Sequence, residues 1–458
     1  MQGIPRESLE EEQDMIERAV GRRAGFIPVL LLLSLLPAVG CGGSDRGAAL
    51  YWRHAMGQLD RVEANLPEIT RTATRAAELY VGQDRLGLGA DGLAAFYGEA
   101  TGRSGGVMAI GAWWTIERTR AGTWKGVVLY CLRPGHLDKD LERIAEYNRH
   151  GSIVLLLGTE EMIRAAQAGG ARFIDRVTIP AAPHDGLYAN PAGGPDKPAW
   201  VVQTYEAGAI ATVWPWMGEF VAACTRRGKT PVMFQSVAVP TGMARIKKHS
   251  LPKGAPTSMY RKWHAKSIRP VREGRLARAW LAMARKRLRS LRARELSDIR
   301  QAARRAVQCR QAGGSCHVAS NGHAPVYLAD SPSDAGLFRK VGGSPAPGTP
   351  DPIGPKDFVF VLGYHSLMNE APYHLADRVR KAGASVAWSA ATYRPEAIRT
   401  RPGEIFIDAQ WEYGDADVDL PGYDVRILPT SGMLAVTLYG MVNAEIFELL
   451  HPPTPARD

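Results

Sequence analysis

The sequence predicts an α/β protein of two tandem α/β/α lobes with mainly parallel sheets. Three observations predict it. The chain repeats itself in three blocks, in the same order and at offsets that differ by only a few residues. Continuous apolar runs of strand length, Val127 to Cys131 and Phe358 to Leu362, recur in both halves, as expected of strands buried on both faces. Each run leads through a loop to a helical pattern, then through Gly151 or Gly383 to another apolar run. That strand–helix alternation demands parallel pairing through right-handed crossovers.

The N-terminus reads as an address. Arg22 and Arg23 precede the apolar run from Phe26 to Val39. The run is shorter than the roughly 20 residues that span a bilayer, and it matches the apolar core of a signal peptide behind a basic segment. It ends Ala38-Val39-Gly40-Cys41, followed by Gly-Gly-Ser-Asp. This resembles a bacterial lipobox, which implies lipidation of Cys41 and an exported, membrane-anchored protein of the cell envelope. Residues 1–41 are therefore read as signal peptide and lipobox. An uncleaved membrane anchor is the alternative, and Met15 is an alternative start.

Lobe one is expected over 49–240. Its helix from Leu66 aligns without gaps with that from Leu296 at an offset of 230, with Ile69 on Ile299, Ala73 on Ala303, Arg75 on Arg305 and Ala76 on Ala306. Further along, Asp91-Gly92 falls on Asn321-Gly322 and Tyr97 on Tyr327. The strand blocks Val127–Cys131 and Phe358–Leu362 follow at an offset of about 231, and the third block at 226, with Thr204 on Thr430, Ala209 on Ala435 and Glu219 on Glu445. Both copies of the third block read as a long helix after a short extended stretch. The Pro- and Gly-rich stretches 189–198 and 341–355 are loops inside the lobes. A basic connector, 241–275, joins them, and lobe two occupies 276–458.

The composition, 45% apolar and 22% charged, suits a protein with a sizeable core. The net charge of +11 is concentrated: residues 245–310 carry 21 Lys and Arg against Glu273, Glu295 and Asp298. The run has little aromatic interleaving, which argues against nucleic acid. It reads either as a solvated helix face or as one that lies near anionic headgroups. Within the connector, Tyr260-Arg-Lys-Trp-His264 reads as a strap across a surface or as a cover over a ligand. Cys131, Cys224, Cys309 and Cys316 form no Cys-x-x-Cys pair and stand beside no His cluster, so neither metal nor cofactor is expected. Cys309 and Cys316 flank Gly313-Gly314, and a disulfide there stays open in an exported chain.

The order of helix, strand, Gly-containing loop, strand, loop and long Glu-bearing helix resembles the sugar isomerase (SIS) domain. In tandem, it resembles the isomerase half of glucosamine-6-phosphate synthase. The resemblance covers both lobes. It implies flavodoxin-like lobes and a phosphosugar held by hydroxyls and backbone N–H groups at a helix N-terminus. The family's first loop reads roughly Gly-x-Gly-x-Ser. In lobe two it is Ser320-Asn321-Gly322-His323, and in the second loop Ser366 and Asn369 stand in for the hydroxyl set. Lobe one has Asp91 where an anion would sit, and its second loop, Cys131 to Asp138, has only Arg133 and His136 as anion ligands.

These matches set the candidate site. Ser320, Asn321, Gly322, Ser366 and Asn369 would bind the phosphate or sugar. His323 has the reference pKa, about 6.5, for acid–base work on an open-chain sugar; as a plain loop residue it would hydrogen-bond nearby backbone. The resemblance also implies that Glu445 is a proton-shuttling base, with Glu219 its counterpart. The plainer expectation is a helix glutamate paired with an Arg of the other lobe. The expected protein is lipid-anchored and SIS-like, and binds a sugar or phosphosugar with weak or no isomerase activity. An active aldose–ketose isomerase and a periplasmic-type solute-binding lipoprotein are the alternatives. SIS lobes pair through helices, which implies a homodimer or pairing within this one chain.

Overall fold

A computed structural model describes residues 46–111, 114–181, 186–189, 200–237, 239–252, 258–320, 329, 336–341, 351–364, 374–391, 401–412 and 414–452. Residues from Asp45 to Asp458 form one compact unit. Cys41 and the apolar run from Phe26 lie outside the described residues, as do Asn321, Gly322, His323, Ser366 and Asn369.

Helices α1 (Gly47–Ala64) and α2 (Leu66–Gly82) open the first half. β1 (Gly87–Gly92), α3 (Ala94–Ala100), β2 (Ile110–Gly111), α4 (Trp114–Arg120) and β3 (Gly126–Cys131) follow. Then come α5 (Leu137–Arg149), β4 (Ile153–Gly158), α6 (Glu160–Ala168) and β5 (Asp175–Thr178). A hairpin of β6 (Gly186–Ala189) and β7 (Trp200–Gln203) leads into α7 (Tyr205–Arg226). The connector carries α8 (Pro240–His249). The second half opens on α9 (Arg275–Gln311), followed by β8 (Cys316–Ser320), β9 (Arg339–Lys340) and β10 (Phe358–Tyr364). It closes with α10 (Leu375–Ala382), β11 (Ser385–Ala391), β12 (Ile405–Asp408) and α11 (Ser431–Leu450).

Two five-stranded sheets result, ordered β2-β1-β3-β4-β5 and β9-β8-β10-β11-β12. Every pairing in them is parallel. Counted within its own half, each sheet has the order 2-1-3-4-5, the doubly wound flavodoxin-like order. The expected α/β class and its repetition are therefore present in the strand order itself.

The halves differ at their opening. α1 ends at Ala64, with Asn65 as its cap, and α2 starts with Pro67 in its first turn, where the missing proline N–H costs nothing but would break a continuing helix. The residue at the Pro67 position in the second half is Ser297, and there the helix runs unbroken for 37 residues as α9. The pattern starting at Leu296 marked only the second part of that helix.

The strand faces show how the layers stack. Val127, Leu129 and Cys131 of β3 join one large cluster with Phe358, Phe360 and Leu362 of β10. The alternate residues Val128 and Tyr130 pack outward on Ile144, Tyr147 and Ile163, and Val359 and Val361 pack outward on Leu375 and Val379. The two sheets thus share a central helical layer of α1, α2, α7, α9 and α11, and each has its own outer helices. α7 is buried along its length up to Thr225, and α11 is buried over most of its surface. α11 is long and apolar enough to cross a bilayer, yet here its surface lines the core. Cys131, Cys224, Cys309 and Cys316 are all free thiols and buried, so Cys309 and Cys316 are not bridged.

Candidate functional site

In doubly wound sheets, ligands bind at the carboxyl ends of the strands, where the strand order reverses. In the second half that point lies between β8 and β10, and Ser320 ends β8 there. Ser320 is in register with Leu362, and Leu362 with Ser389 of β11. Residues level with one another across parallel strands share a face. Leu362 faces the central layer, so both serines do as well. Their Cα atoms lie two strand spacings apart, about 10 Å.

Both hydroxyl oxygens are buried and have no hydrogen-bond partner among the described residues. Ser389 is 0% exposed. Apolar replacements would cost nothing in hydrogen bonding, and an unpaired buried hydroxyl costs about 1–3 kcal/mol. The two lie in one row at the carboxyl end of the second sheet, on either side of Leu362, as unpaired donors and acceptors. Ser389 carries no sequence motif, and only the register reveals it.

With Cys131 set against Leu362, strand pairing makes Gly92–Cys131–Leu157 the corresponding row in the first half, which moves Gly92 two residues from its expected match at Gly322, and this row is closed. Gly92 has φ +92°, and a Cβ there would stand 2.0 Å from the carbonyl oxygen of Cys131. The Tyr205 hydroxyl lies 3.7 Å from the Cys131 sulfur and donates to the Leu132 carbonyl at 2.9 Å. Burial pushes the Tyr205 hydroxyl and the Cys131 thiol well up, so both stay neutral. The offset that relates Glu219 to Glu445 puts the small Ser431 at the Tyr205 position in the second half. Asp91 accepts the Tyr147 hydroxyl at 2.7 Å and the Gly92 N–H at 2.8 Å, with Arg143 at 3.9 Å.

The second loop of the first half is also self-satisfied. Asp140 is fully buried and accepts from the Arg133 N–H at 2.8 Å, the Arg133 Nε at 2.7 Å and the Tyr130 hydroxyl at 2.8 Å. A cleft of about 450 Å³ opens beside it, lined by Arg133, His136, Lys139 and Glu161 among others. Arg133, in its lining, is already paired with Asp140 at 2.6 Å.

The two glutamates take part in helix joints. Glu445 accepts the N–H of Ala48, in the first turn of α1, at 3.0 Å, and Arg300 Nε lies 3.6 Å away. Glu219 accepts the N–H of Gly274, just before α9, at 2.9 Å, and the Thr70 hydroxyl at 3.2 Å. The plainer expectation for Glu445 needs one correction: its arginine is on α9 of its own half, and the other half supplies a backbone N–H. The connector motif is a strap. Trp263 packs edge-on to Tyr80 at 5.1 Å, and Lys262 sits 4.3 Å over the same ring.

A buried ionic cluster, with no sequence signature, ties the halves together near the start of α11. Arg103 reaches Asp415 at 3.3 Å and the Ser431 hydroxyl at 3.0 Å. Its Nε lies 3.5 Å from Glu99, which also accepts from Trp214 Nε1 at 3.2 Å. Desolvation raises the Glu99 carboxyl above its ordinary range, against the pull of Arg103.

No family model matches this chain, and no curated protein matches it. Solved structures do align with it. Tagatose-6-phosphate ketose/aldose isomerase from Escherichia coli aligns at 11% identity and a TM-score of 0.47, over 89% of this chain and 94% of that one. The C-terminal domain of glucosamine-fructose-6-phosphate aminotransferase from Francisella tularensis aligns at 8% identity and a TM-score of 0.44, over 86% of this chain and 94% of that one.

Proposed function

We propose that this chain is a lipid-anchored binding protein for a sugar or phosphosugar, with weak or no isomerase activity. The pair of unpartnered buried hydroxyls, Ser320 and Ser389, supports the reading. They flank β10 in one row at the carboxyl edge of the second sheet, about 10 Å apart, where separate oxygens of one extended polyol or phosphosugar would reach each. In this reading Asn321, Gly322, His323, Ser366 and Asn369 supply the remaining contacts. The closed row in the first half favours a single site per chain. Binding without turnover is favoured because Glu445 is committed to Ala48 and Arg300. Lipidation at Cys41 would hold the protein at the envelope, with the two halves paired within one chain through their helices.

Thermal-shift measurements with fructose-6-phosphate, glucosamine-6-phosphate and N-acetylmuramic acid test the binding. At least one should stabilise the protein, and Ser389→Ala should abolish that shift. No shift with any of the three would sink the sugar reading. Aldose–ketose turnover should be the same in wild type and Glu445→Gln. A fatty-acid probe should label the chain and fail to label Cys41→Ser.

A further inference from the structure

We infer that the outer face of α9 is a docking surface for an anionic lipid bilayer. Arg275, Arg278, Lys286, Arg289 and Arg304 are all exposed. Relative to Arg275 they stand at i+3, i+11, i+14 and i+29, close to whole turns of an α-helix, so they form one stripe. At 1.5 Å per residue the stripe is about 43 Å long.

Some other cations of the helix are matched within the fold, whereas Arg294 and Arg305, outside the stripe, are exposed and in no ion pair among the described residues. On one flank Arg285 is neutralised by Asp60 at 2.9 Å and Glu63 at 2.7 Å of α1. On the opposite flank Arg287 pairs with Asp417 and, at 3.6 Å, with Glu412. The stripe between those flanks contains no Asp or Glu of α9, and these five cations are in no ion pair among the described residues; Arg300, at i+25 on the same face, is half-buried and paired with Glu445 at 3.6 Å. A row of five without counter-charges matches a surface that supplies the anions, such as phosphate headgroups.

The tether favours a bilayer over other polyanions. α1 runs along α9: Trp52 donates to the Leu288 carbonyl at 2.7 Å, and Ala48 shares Glu445 with Arg300. The described chain therefore begins about one turn of α9 from Arg304. Only four residues lie between Cys41 and Arg46, a reach of at most about 18 Å over five Cα steps. This part of the inference rests on the Cys41 reading; the charge pattern does not.

The unit from Asp45 to Asp458 is compact and holds the core formed by the described residues, so a chain starting at residue 45 tests the face without its leader. We expect it to co-sediment with phosphatidylcholine vesicles containing phosphatidylglycerol at low salt. It should leave them at high salt and ignore pure phosphatidylcholine. The Arg278→Glu/Arg289→Glu double variant should lose more than tenfold in partition, at about fivefold per cation. Lys125→Glu/Lys381→Glu, with the same net charge change elsewhere, should lose less than threefold. The neutral Arg278→Gln/Arg289→Gln variant should fall between, with an unchanged melting temperature. Equal loss in both reversal variants would overturn the proposal. So would wild-type binding that is no stronger to anionic vesicles, or tight binding to single-stranded RNA without vesicle binding. Because the leader is absent, failure here leaves the Cys41 and sugar readings standing.

Discussion

Glu219 and Glu445 occupy equivalent places in the two halves, and each accepts a backbone N–H at the start of the helix that opens the other half. Glu219 holds Gly274 at 2.9 Å, and Glu445 holds Ala48 at 3.0 Å. The equivalence extends to the second partner: Thr70 and Arg300 are related by the offset of 230, and each reaches the glutamate of its own half. The halves are thus joined by a reciprocal exchange of helix N-termini, whose partial positive charge favours a carboxylate.

The joints differ in burial, and so should their cost when broken. Glu219 is 0% exposed. Glu219→Ala leaves the Gly274 N–H and the Thr70 hydroxyl without their buried acceptor, and should cost about 3 kcal/mol in urea unfolding. The Glu445 side chain is 16% exposed, and water can replace it, so Glu445→Ala should cost about 1 kcal/mol. Equal costs would mean that burial does not set the strength of these joints.

Gly92 is predicted to be irreplaceable. Its φ of +92° is strained for any L side chain, and a Cβ would fall 2.0 Å from backbone at Cys131 rather than from a movable side chain. Gly92→Ala should destabilise by more than about 2 kcal/mol, the combined effect of left-handed backbone strain and overpacking. Gly102→Ala is the control: the same kind of φ, +66°, but nothing within 4 Å of the new Cβ. A similar loss at both positions would make backbone conformation, not the close approach of the two strands, the whole cost.

The fold was legible because its strands are buried on both faces. Val127–Cys131 and Phe358–Leu362 announced themselves as apolar runs, and the fixed offsets set the two halves against each other. The equivalence of Glu219 and Glu445 was legible too, but not their role. A backbone N–H partner leaves no side-chain signature, and Ala48 lies 397 residues from Glu445. Ser389 was invisible for a similar reason: Ala387-Trp388-Ser389 reads as ordinary strand, and only its register with Leu362 puts it level with Ser320. Arg103 stands in a loop, where a single arginine carries no periodicity. The lipobox reading of Cys41 rests on sequence alone.

Ser389 should trade stability against ligand response. Ser389→Ala removes an unpartnered hydroxyl and adds no atom in a fully buried position. Without ligand, the variant should be as stable as wild type or up to about 1 kcal/mol more stable, because no hydrogen bond is lost and desolvation is relieved. Loss of more than that in chemical unfolding would show that the hydroxyl is satisfied in the folded protein, and would remove the support it lends to the sugar reading.

The buried cluster at Arg103 makes stability depend on pH in an unusual direction for a carboxylate. Desolvation raises the folded-state pKa of Glu99 above its unfolded value, although Arg103 opposes the shift. Sign follows from proton counting: between those two pKa values the folded state binds more protons than the unfolded one, so stability falls as pH rises. The Glu99 contribution is complete below about pH 4 and is lost as pH climbs through the raised folded value. Glu99→Gln mimics the protonated acid at every pH. It should therefore match wild type near pH 4 and be the more stable of the two at pH 8. Asp351 should show the opposite trend, since its hydrogen bonds from Arg378 lower its pKa, and Asp351→Asn should lose stability mainly above pH 4. Parallel pH–stability curves for wild type and Glu99→Gln would show that Arg103 fully compensates the buried charge.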